Sequence, residues 1–381
     1  MLLGILLGVR HLILAASMGD GHLRVGAQLQ RRLIARGDSA DVVDILDVLP
    51  FRLGPLLRGS YAAMLRHAPS VYEAIYRSFF VPRKGSGMRP DPLVAASCPA
   101  VLRAIAAHQP DSVVSTFHLC GQITGRLRAS GRLSVPSTVV VTDLVAHRMW
   151  LHPGNDAYAC VHPTVAAEVA AATGRPACSI APAVSDKFLT ADDDELPRTE
   201  TRAELGVPAS MPAVLVSAGA WGSGEVAKTV AAVASSGHAT VVLCGRNEEL
   251  RRAVADGENV GRNVVALGWR DDLPQVMRAC DVLVENAAGQ TAMEALAAGL
   301  PVVTYRPIPG HGRDGARRMA ELGLSSFADG DRELRSFVAD LVTPDSARRE
   351  AQVAAGLALF TADPVGFLDL VEAQTSEALR R

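Results

Sequence analysis

Short apolar runs rich in β-branched residues alternate with stretches of helical spacing along the whole chain, which is the pattern of parallel α/β architecture. The first unit is the clearest. Residues 12–16 read as a buried strand, 17–22 as a glycine-bearing turn, and the following helix places Val25, Leu29 and Leu33 on one face before Gly37 closes it. Further strands are expected at 42–46, 112–115 and 138–142. A second series begins at 213–217 and continues through 240–243, 264–267, 282–285 and 301–304, with helices between. The interval 187–212 is rich in Asp, Glu, Pro and Thr and reads as a linker. The expected fold is therefore two doubly wound, Rossmann-like parallel-sheet domains, 1–186 and 213–381, with a cleft between them. The last helix of the second is free to pack back on the first. Ligands of such sheets bind at the carboxyl ends of the strands.

Composition narrows the functional classes. The chain has 381 residues, 49% of them hydrophobic, and 40 acidic side chains against 38 basic. That near-neutrality gives no general field for nucleic acid, and with 4% aromatics a base-stacking surface is not expected. The six cysteines lie singly, without CxxC or zinc spacing, as reduced core thiols of a cytosolic protein do. The apolar start, 1–9, is broken by Arg10 and His11, too early for a membrane span and without the basic start and cleavage site of a secretory signal. Any membrane contact is expected to be peripheral, from the cytoplasmic side.

One stretch departs from the pattern. Residues 51–90 carry Arg52, Arg58, Arg66, Arg77, Arg83, Lys84 and Arg89 against a single acid, Glu73, with Tyr61, Tyr72, Tyr76, Phe79 and Phe80 interleaved. Basic and bulky apolar residues on a helix suit an anionic membrane surface. They equally suit a helix packed on its own domain with the basic face in water.

Candidate chemistry sits in the loops after strands. Gly19 and Gly21 let the backbone approach a ligand, and His22 opens the following helix, where the helix dipole disfavours its protonation and leaves it able to act as a base. After 282–285, the run Asn286-Ala287-Ala288-Gly289-Gln290 leads into a helix from Thr291 to Ala298, ended by Gly299, an arrangement whose first N–H groups would meet a diphosphate without a metal. Glu294 either caps that helix with Thr291, in a capping box, or accepts hydrogen bonds from a ribose. Gly219 and the run Gly245-Arg246-Asn247 sit in two further loops of the same half. The acidic run 192–194 lies in the linker and reads as solvated charge rather than a metal-binding motif. No HExxH and no Ser-His-Asp order is evident, and no metal ligands are assigned.

Three motifs together resemble the monogalactosyldiacylglycerol-synthase and processive diacylglycerol-glycosyltransferase family, related to the enzyme that adds N-acetylglucosamine to the peptidoglycan lipid precursor. They are the loop 17–22; the run Thr142-Asp143-Leu144-Val145-Ala146-His147-Arg148-Met149-Trp150 with His152-Pro153-Gly154; and 244–250 followed by Gly268-Trp269 and 289–301. The resemblance spans most of 12–323. It implies the GT-B fold, a UDP-sugar co-substrate with no cofactor, a membrane-lipid acceptor and an inverting single displacement. His22 is then the base. Asp143 and His147 orient it or shape the acceptor side, with purely structural hydrogen bonding the equal alternative for either, and Gly19, Gly21 and His118 form the acceptor loop. Gly289, Gln290 and Thr291 hold the diphosphate, Glu294 the ribose, and Arg246 with Gly268 and Trp269 the uracil, beside Gly219, Gly245 and Asn247. The basic stretch falls where the family meets the membrane. After Pro307-Ile308-Pro309-Gly310 the family commonly carries Gln-Glu and then Asn. This chain has His311-Gly312 and Gly315, so galactose, glucose, N-acetylglucosamine and glucuronic acid all stay open. The competing readings are a UDP-sugar 2-epimerase on the same fold, a soluble acceptor, and a non-catalytic nucleotide- or lipid-binding protein.

Overall fold

The computed structural model describes residues 8–81, 91–191, 196–256, 263–368 and 370. Arg83, Lys84 and Arg89 of the basic stretch and the acidic run 192–194 lie outside them. The chain divides into two compact units. One comprises Met1–Ala63, Ala74–Ala183 and Leu359–Arg381, the other Met64–Glu73 and Val184–Ala358.

Among the described residues each unit is built on one six-stranded parallel sheet. The first holds β1 (Arg10–Ala15), β2 (Ser39–Asp44), β3 (Ser112–Ser115), β4 (Ser137–Val141), β5 (Ala157–Cys160) and β6 (Ala177–Ser179), in spatial order β2-β1-β3-β4-β5-β6. Its helices are α1 (Gly21–Ala35), α2 (Ile45–Val48), α3 (Leu53–His67), α4 (Pro69–Phe79), α5 (Pro92–His108), α6 (His118–Ala129) and α7 (Pro163–Thr173), with Met64–Glu73 of α3 and α4 grouped with the second unit. The strands β3, β4 and β5 are buried on both faces, as the middle of a sheet covered by helices on both sides requires. Leu12 and Leu14 face the α5–α6 side and Ile13 the α1 side, the period-two alternation of a strand. The α1 side is completed from far along the chain: Val365, Phe367 and Leu368 join Val25, Leu29 and Leu33 in one buried cluster.

The second sheet holds β7 (Ala213–Ser217), β8 (Ala239–Leu243), β9 (Val264–Leu267), β10 (Val282–Glu285), β11 (Val302–Tyr305) and β12 (Ser326–Ala328), in order β12-β11-β10-β7-β8-β9. Its helices are α8 (Arg198–Glu204), α9 (Val226–Ala234), α10 (Glu248–Ala255), α11 (Leu273–Ala279), α12 (Gln290–Ala297), α13 (His311–Glu321), α14 (Asp331–Leu341) and α15 (Ala347–Ala358).

Two local readings change. The second strand ends at Asp44 because its carboxylate accepts the Leu46 N–H at 2.9 Å and turns the chain into α2, so Ile45 and Leu46 are helical rather than extended. The 187–212 interval carries α8, anchored by Arg202, which is buried and donates to Asp281 at 2.9 Å and to the carbonyls of Ala279, Ala209 and Met211.

Each sheet has one place where the strand order reverses: between β1 and β3 in the first, and between β7 and β10 in the second. There the loops leaving adjacent strands part to opposite faces and open a crevice at the carboxyl ends, which is where α/β sheets bind ligands.

Candidate functional site

The crevice of the first sheet is flanked by the loop after β1, which carries Gly19 and Gly21, and by the turn after β3, Thr116-Phe117-His118. His22, in the first turn of α1, bridges the two. Its Nδ1 lies 2.9 Å from the Thr116 carbonyl oxygen, and the Thr116 hydroxyl donates back to the His22 carbonyl at 3.3 Å. A carbonyl only accepts, so Nδ1 carries the hydrogen and Nε2 keeps its lone pair. Burial lowers the His22 pKa, against the opposing pull of the Asp143 carboxylate and the bond to Thr116. Burial thus favours the neutral imidazole, while the Asp143 carboxylate favours the imidazolium.

Asp143 is held in turn. It accepts the Trp150 indole N–H at 2.9 Å, and His147 Nε2 lies 3.7 Å from the same carboxylate oxygen. Trp150 is fully buried and His147 is 4% exposed, so this support is rigid. His118, the first residue of α6, stands edge-on to His147 with ring centroids 5.4 Å apart, and Phe117 meets His22 at 5.0 Å. The structure therefore brings His22, His118, Asp143 and His147 to one end of one sheet.

In the second unit the crevice lies between the loops after β7 and β10. Asn286 ties them: its Nδ2 donates to the Ser223 carbonyl at 2.8 Å, and its own carbonyl accepts the Ile308 N–H at 2.8 Å. Ala288 adopts a left-handed φ of +49°, Gly289 is exposed, and α12 starts at Gln290 with no side-chain cap. A helix start with no N-cap side chain over it is a place able to receive an anion. Gly289 is the N-cap residue, so Thr291 and Glu294 do not stand at N-cap and N3, and the capping-box alternative is overturned. Glu294 lies in the second turn, 3% exposed.

The neighbouring loop depends on a glycine. Gly245 sits at φ +59°, and a Cβ there would lie 2.6 Å from the Ala220 carbonyl oxygen. That close approach sets the loop of Gly219 against the loop of Arg246 and Asn247, whose Nδ2 donates to the Trp221 carbonyl at 3.3 Å. The Arg246 guanidinium lies 3.7 Å over the Trp269 ring, with Gly268 beside it, a flat cationic-aromatic platform at the end of β9. The donor-site residues read from the sequence thus converge on consecutive strand ends. Glu285, the last residue of β10, was not singled out by the sequence. A strand-terminal carboxylate after three apolar residues is the only signal it gives.

The basic stretch divides. Tyr72 and Tyr76 are 6% and 2% exposed, so of the two readings of this stretch they follow the packed one and are not free to enter a membrane. Tyr72 Oη lies 2.7 Å from His311 Nδ1, and Glu73 accepts the Gly310 N–H at 2.6 Å. Phe51, Leu56, Val71 and Phe79 are instead exposed, Phe51 at 92%, as are Arg66 and Arg77. Arg58 turns inward and donates to Ser17 of the glycine loop. Among the described residues no helix is long and apolar enough to cross a membrane.

Comparison with known proteins bears on this geometry. The family model for monogalactosyldiacylglycerol (MGDG) synthase matches residues 22–179, and that for glycosyl transferases group 1 matches 220–330. The chain is 23% identical to a processive diacylglycerol beta-glucosyltransferase of Bacillus pumilus over 87% of this chain and 86% of that one. It is 28% identical to monogalactosyldiacylglycerol synthase 1, chloroplastic, of Arabidopsis thaliana over 71% of this chain and 52% of that one. Among solved structures it superposes on Acinetobacter baumannii MurG with a TM-score of 0.56 at 14% identity, covering 96% and 99% of the two chains. Medicago truncatula UGT71G1 complexed with UDP-glucose gives 0.62 at 12%, covering 96% and 98%. The chain is a glycosyltransferase of the GT-B fold. Within that class its likeness is to the monogalactosyldiacylglycerol synthases and processive diacylglycerol glucosyltransferases, as the three sequence motifs implied.

Proposed function

We propose that this enzyme transfers a hexose from a UDP-sugar to the hydroxyl of a diacylglycerol-type lipid at the inner face of the cell membrane, with inversion and without a metal. The observation that carries the reading is the placement of His22: its Nδ1 lies 2.9 Å from the Thr116 carbonyl oxygen, which leaves Nε2 to act as the base, while burial lowers its pKa and Asp143 favours its charged form. Nε2 takes the proton of the lipid hydroxyl as its oxygen attacks the anomeric carbon and the bond from that carbon to the phosphate oxygen breaks. The leaving UDP carries its new charge to the start of α12, where helix N–H groups and the helix dipole receive it at Gly289, Gln290 and Thr291. Glu294 binds the ribose, and the Arg246–Trp269 platform lies beside the uracil. Asp143, steadied by Trp150 and His147, holds the imidazolium until the proton leaves. The exposed Phe51, Leu56 and Phe79, with Arg77, give the first unit apolar and basic side chains of the kind an anionic bilayer takes up.

The test offers a panel of UDP-sugars with and without diacylglycerol vesicles, in the presence of a strong chelator, and measures UDP release and product mass. Lipid-dependent UDP release and a glycosylated lipid are expected. UDP release without lipid points to hydrolysis or epimerisation, transfer only to soluble alcohols to a different acceptor, and reversible loss with chelator to a metal-dependent step.

A further inference from the structure

Glu285 ends β10 with its side chain buried, 4% exposed. One carboxylate oxygen accepts the Ala287 and Ala288 N–H groups, each at 2.6 Å, and the other accepts the Thr304 hydroxyl of the neighbouring β11 at 2.5 Å. All three donors are neutral. A carboxylate buried this way is costly unless its hydrogen bonds are supplied in full, and burial raises its pKa against the pull of those same bonds. The bonds determine the course of the loop. They fold residues 286–288 back over the strand end and hold Ala288 at φ +49°, a left-handed backbone that disfavours any residue with a Cβ. From that turn Gly289 runs extended, at φ −98° and ψ −154°, into the start of α12.

The clamp also removes two anion donors. With the N–H groups of Ala287 and Ala288 committed to Glu285, an incoming phosphate is left to the helix start at Gly289, Gln290 and Thr291. From this geometry we infer that Glu285 is a positioning residue for donor binding. It touches no substrate atom but fixes the loop that aims the α12 N-terminus at the diphosphate. The inference rests on the UDP-sugar reading given above.

The experiment measures UDP binding by calorimetry, donor KM and kcat at saturating acceptor, and thermal unfolding, for the parent and for Glu285→Ala, Glu285→Gln and Glu285→Ala with Ala288→Gly. Glu285→Ala is expected to weaken UDP binding on the order of tenfold, the scale of a lost hydrogen bond or two, to raise donor KM, and to lower kcat as well, because the same helix start receives the leaving UDP. Glu285→Gln keeps an acceptor oxygen for the loop and restores most of the affinity. Ala288→Gly removes the left-handed cost and recovers part of the loss in the double variant. A Glu285→Ala protein with a lowered melting temperature and parental UDP affinity overturns the role and leaves Glu285 as a core residue only. Should Glu285→Ala not fold, Thr304→Val, which removes one donor from the same carboxylate, carries the test: a several-fold loss of UDP affinity supports the role, and unchanged affinity refutes it. A parent that binds no UDP overturns the donor reading, and this role with it. A parent that binds UDP as tightly as its Glu285→Ala variant overturns this role alone.

Discussion

Replacing His22 with Asn separates the two jobs of the imidazole. The amide nitrogen of Asn reaches the position of Nδ1 and is able to keep the 2.9 Å bond to the Thr116 carbonyl, while nothing replaces Nε2. Loop geometry and UDP affinity should therefore survive, and turnover should fall by roughly 10²–10⁴, the contribution of a general base, equivalent to about 3–5 kcal/mol in the barrier. The pH dependence gives a second, independent reading. Burial lowers the His22 pKa, so the base stays neutral and active below the ordinary histidine value of about 6.5. The acidic limb of the parent's rate profile should accordingly fall below that pH. Asp143 opposes the shift by favouring the imidazolium. Asp143→Asn therefore lowers the pKa further and moves the acidic limb to still lower pH, while reducing the plateau rate because the charged intermediate state has lost its carboxylate. The assay is UDP release at saturating donor and acceptor between about pH 4.5 and 8. A His22→Asn enzyme with parental turnover, or an Asp143→Asn profile displaced towards higher pH, would refute the assignment.

Glu294→Gln should weaken UDP binding by about 1.5–3 kcal/mol if its carboxylate accepts from the ribose, as for a lost charge-assisted bond; calorimetry beside a thermal melt checks this, and unchanged affinity removes it from the donor site. Phe51→Ser with Arg66→Glu and Arg77→Glu should strongly reduce co-sedimentation with anionic vesicles, since each basic residue near such a surface contributes about 1 kcal/mol. High salt should weaken the parent's binding, and UDP binding should stay intact; equal sedimentation of parent and variant would leave this stretch as ordinary structure. Gly245→Ala places a Cβ 2.6 Å from the Ala220 carbonyl in a left-handed backbone, so the loop must move and UDP affinity should fall by tenfold or more in the same calorimetric assay.

The parts of this protein legible in the sequence are those with a local cause. Buried parallel strands announce themselves as β-branched runs, and the glycine loops mark where the chain must turn tightly beside a ligand. β5, β6 and β12 escaped because they are short and their residues, such as Ala157-Tyr158-Ala159-Cys160, carry little β-branching. The 187–212 stretch looked like linker because its anchor, Asp281, is remote: Arg202 reads as a solvated charge until the fold brings the two to 2.9 Å. Tyr72 and Tyr76 are four apart and share a helix face, which the pattern shows, but nothing local tells whether that face meets lipid or protein. The clustering of His22, His118, Asp143 and His147 was available only through family likeness, because strand order, not spacing, places them together.

The way Val365, Phe367 and Leu368 complete the core around α1 sets a timetable for the newborn chain. Burying side chains of this size contributes roughly 1.5–3 kcal/mol each, a large share of the 5–15 kcal/mol that typically holds a domain together. Phe367 leaves the ribosome 184 residues after Ala183, the last residue of the first unit's main segment, a delay of roughly 10–40 s at ordinary synthesis rates. Throughout that interval Val25, Leu29 and Leu33 lack the part of their apolar cover that Val365, Phe367 and Leu368 supply. The second unit, contained in its own stretch of sequence apart from Met64–Glu73, is free to fold first. Completion of the first unit's core therefore waits on a segment made after the whole of Val184–Ala358.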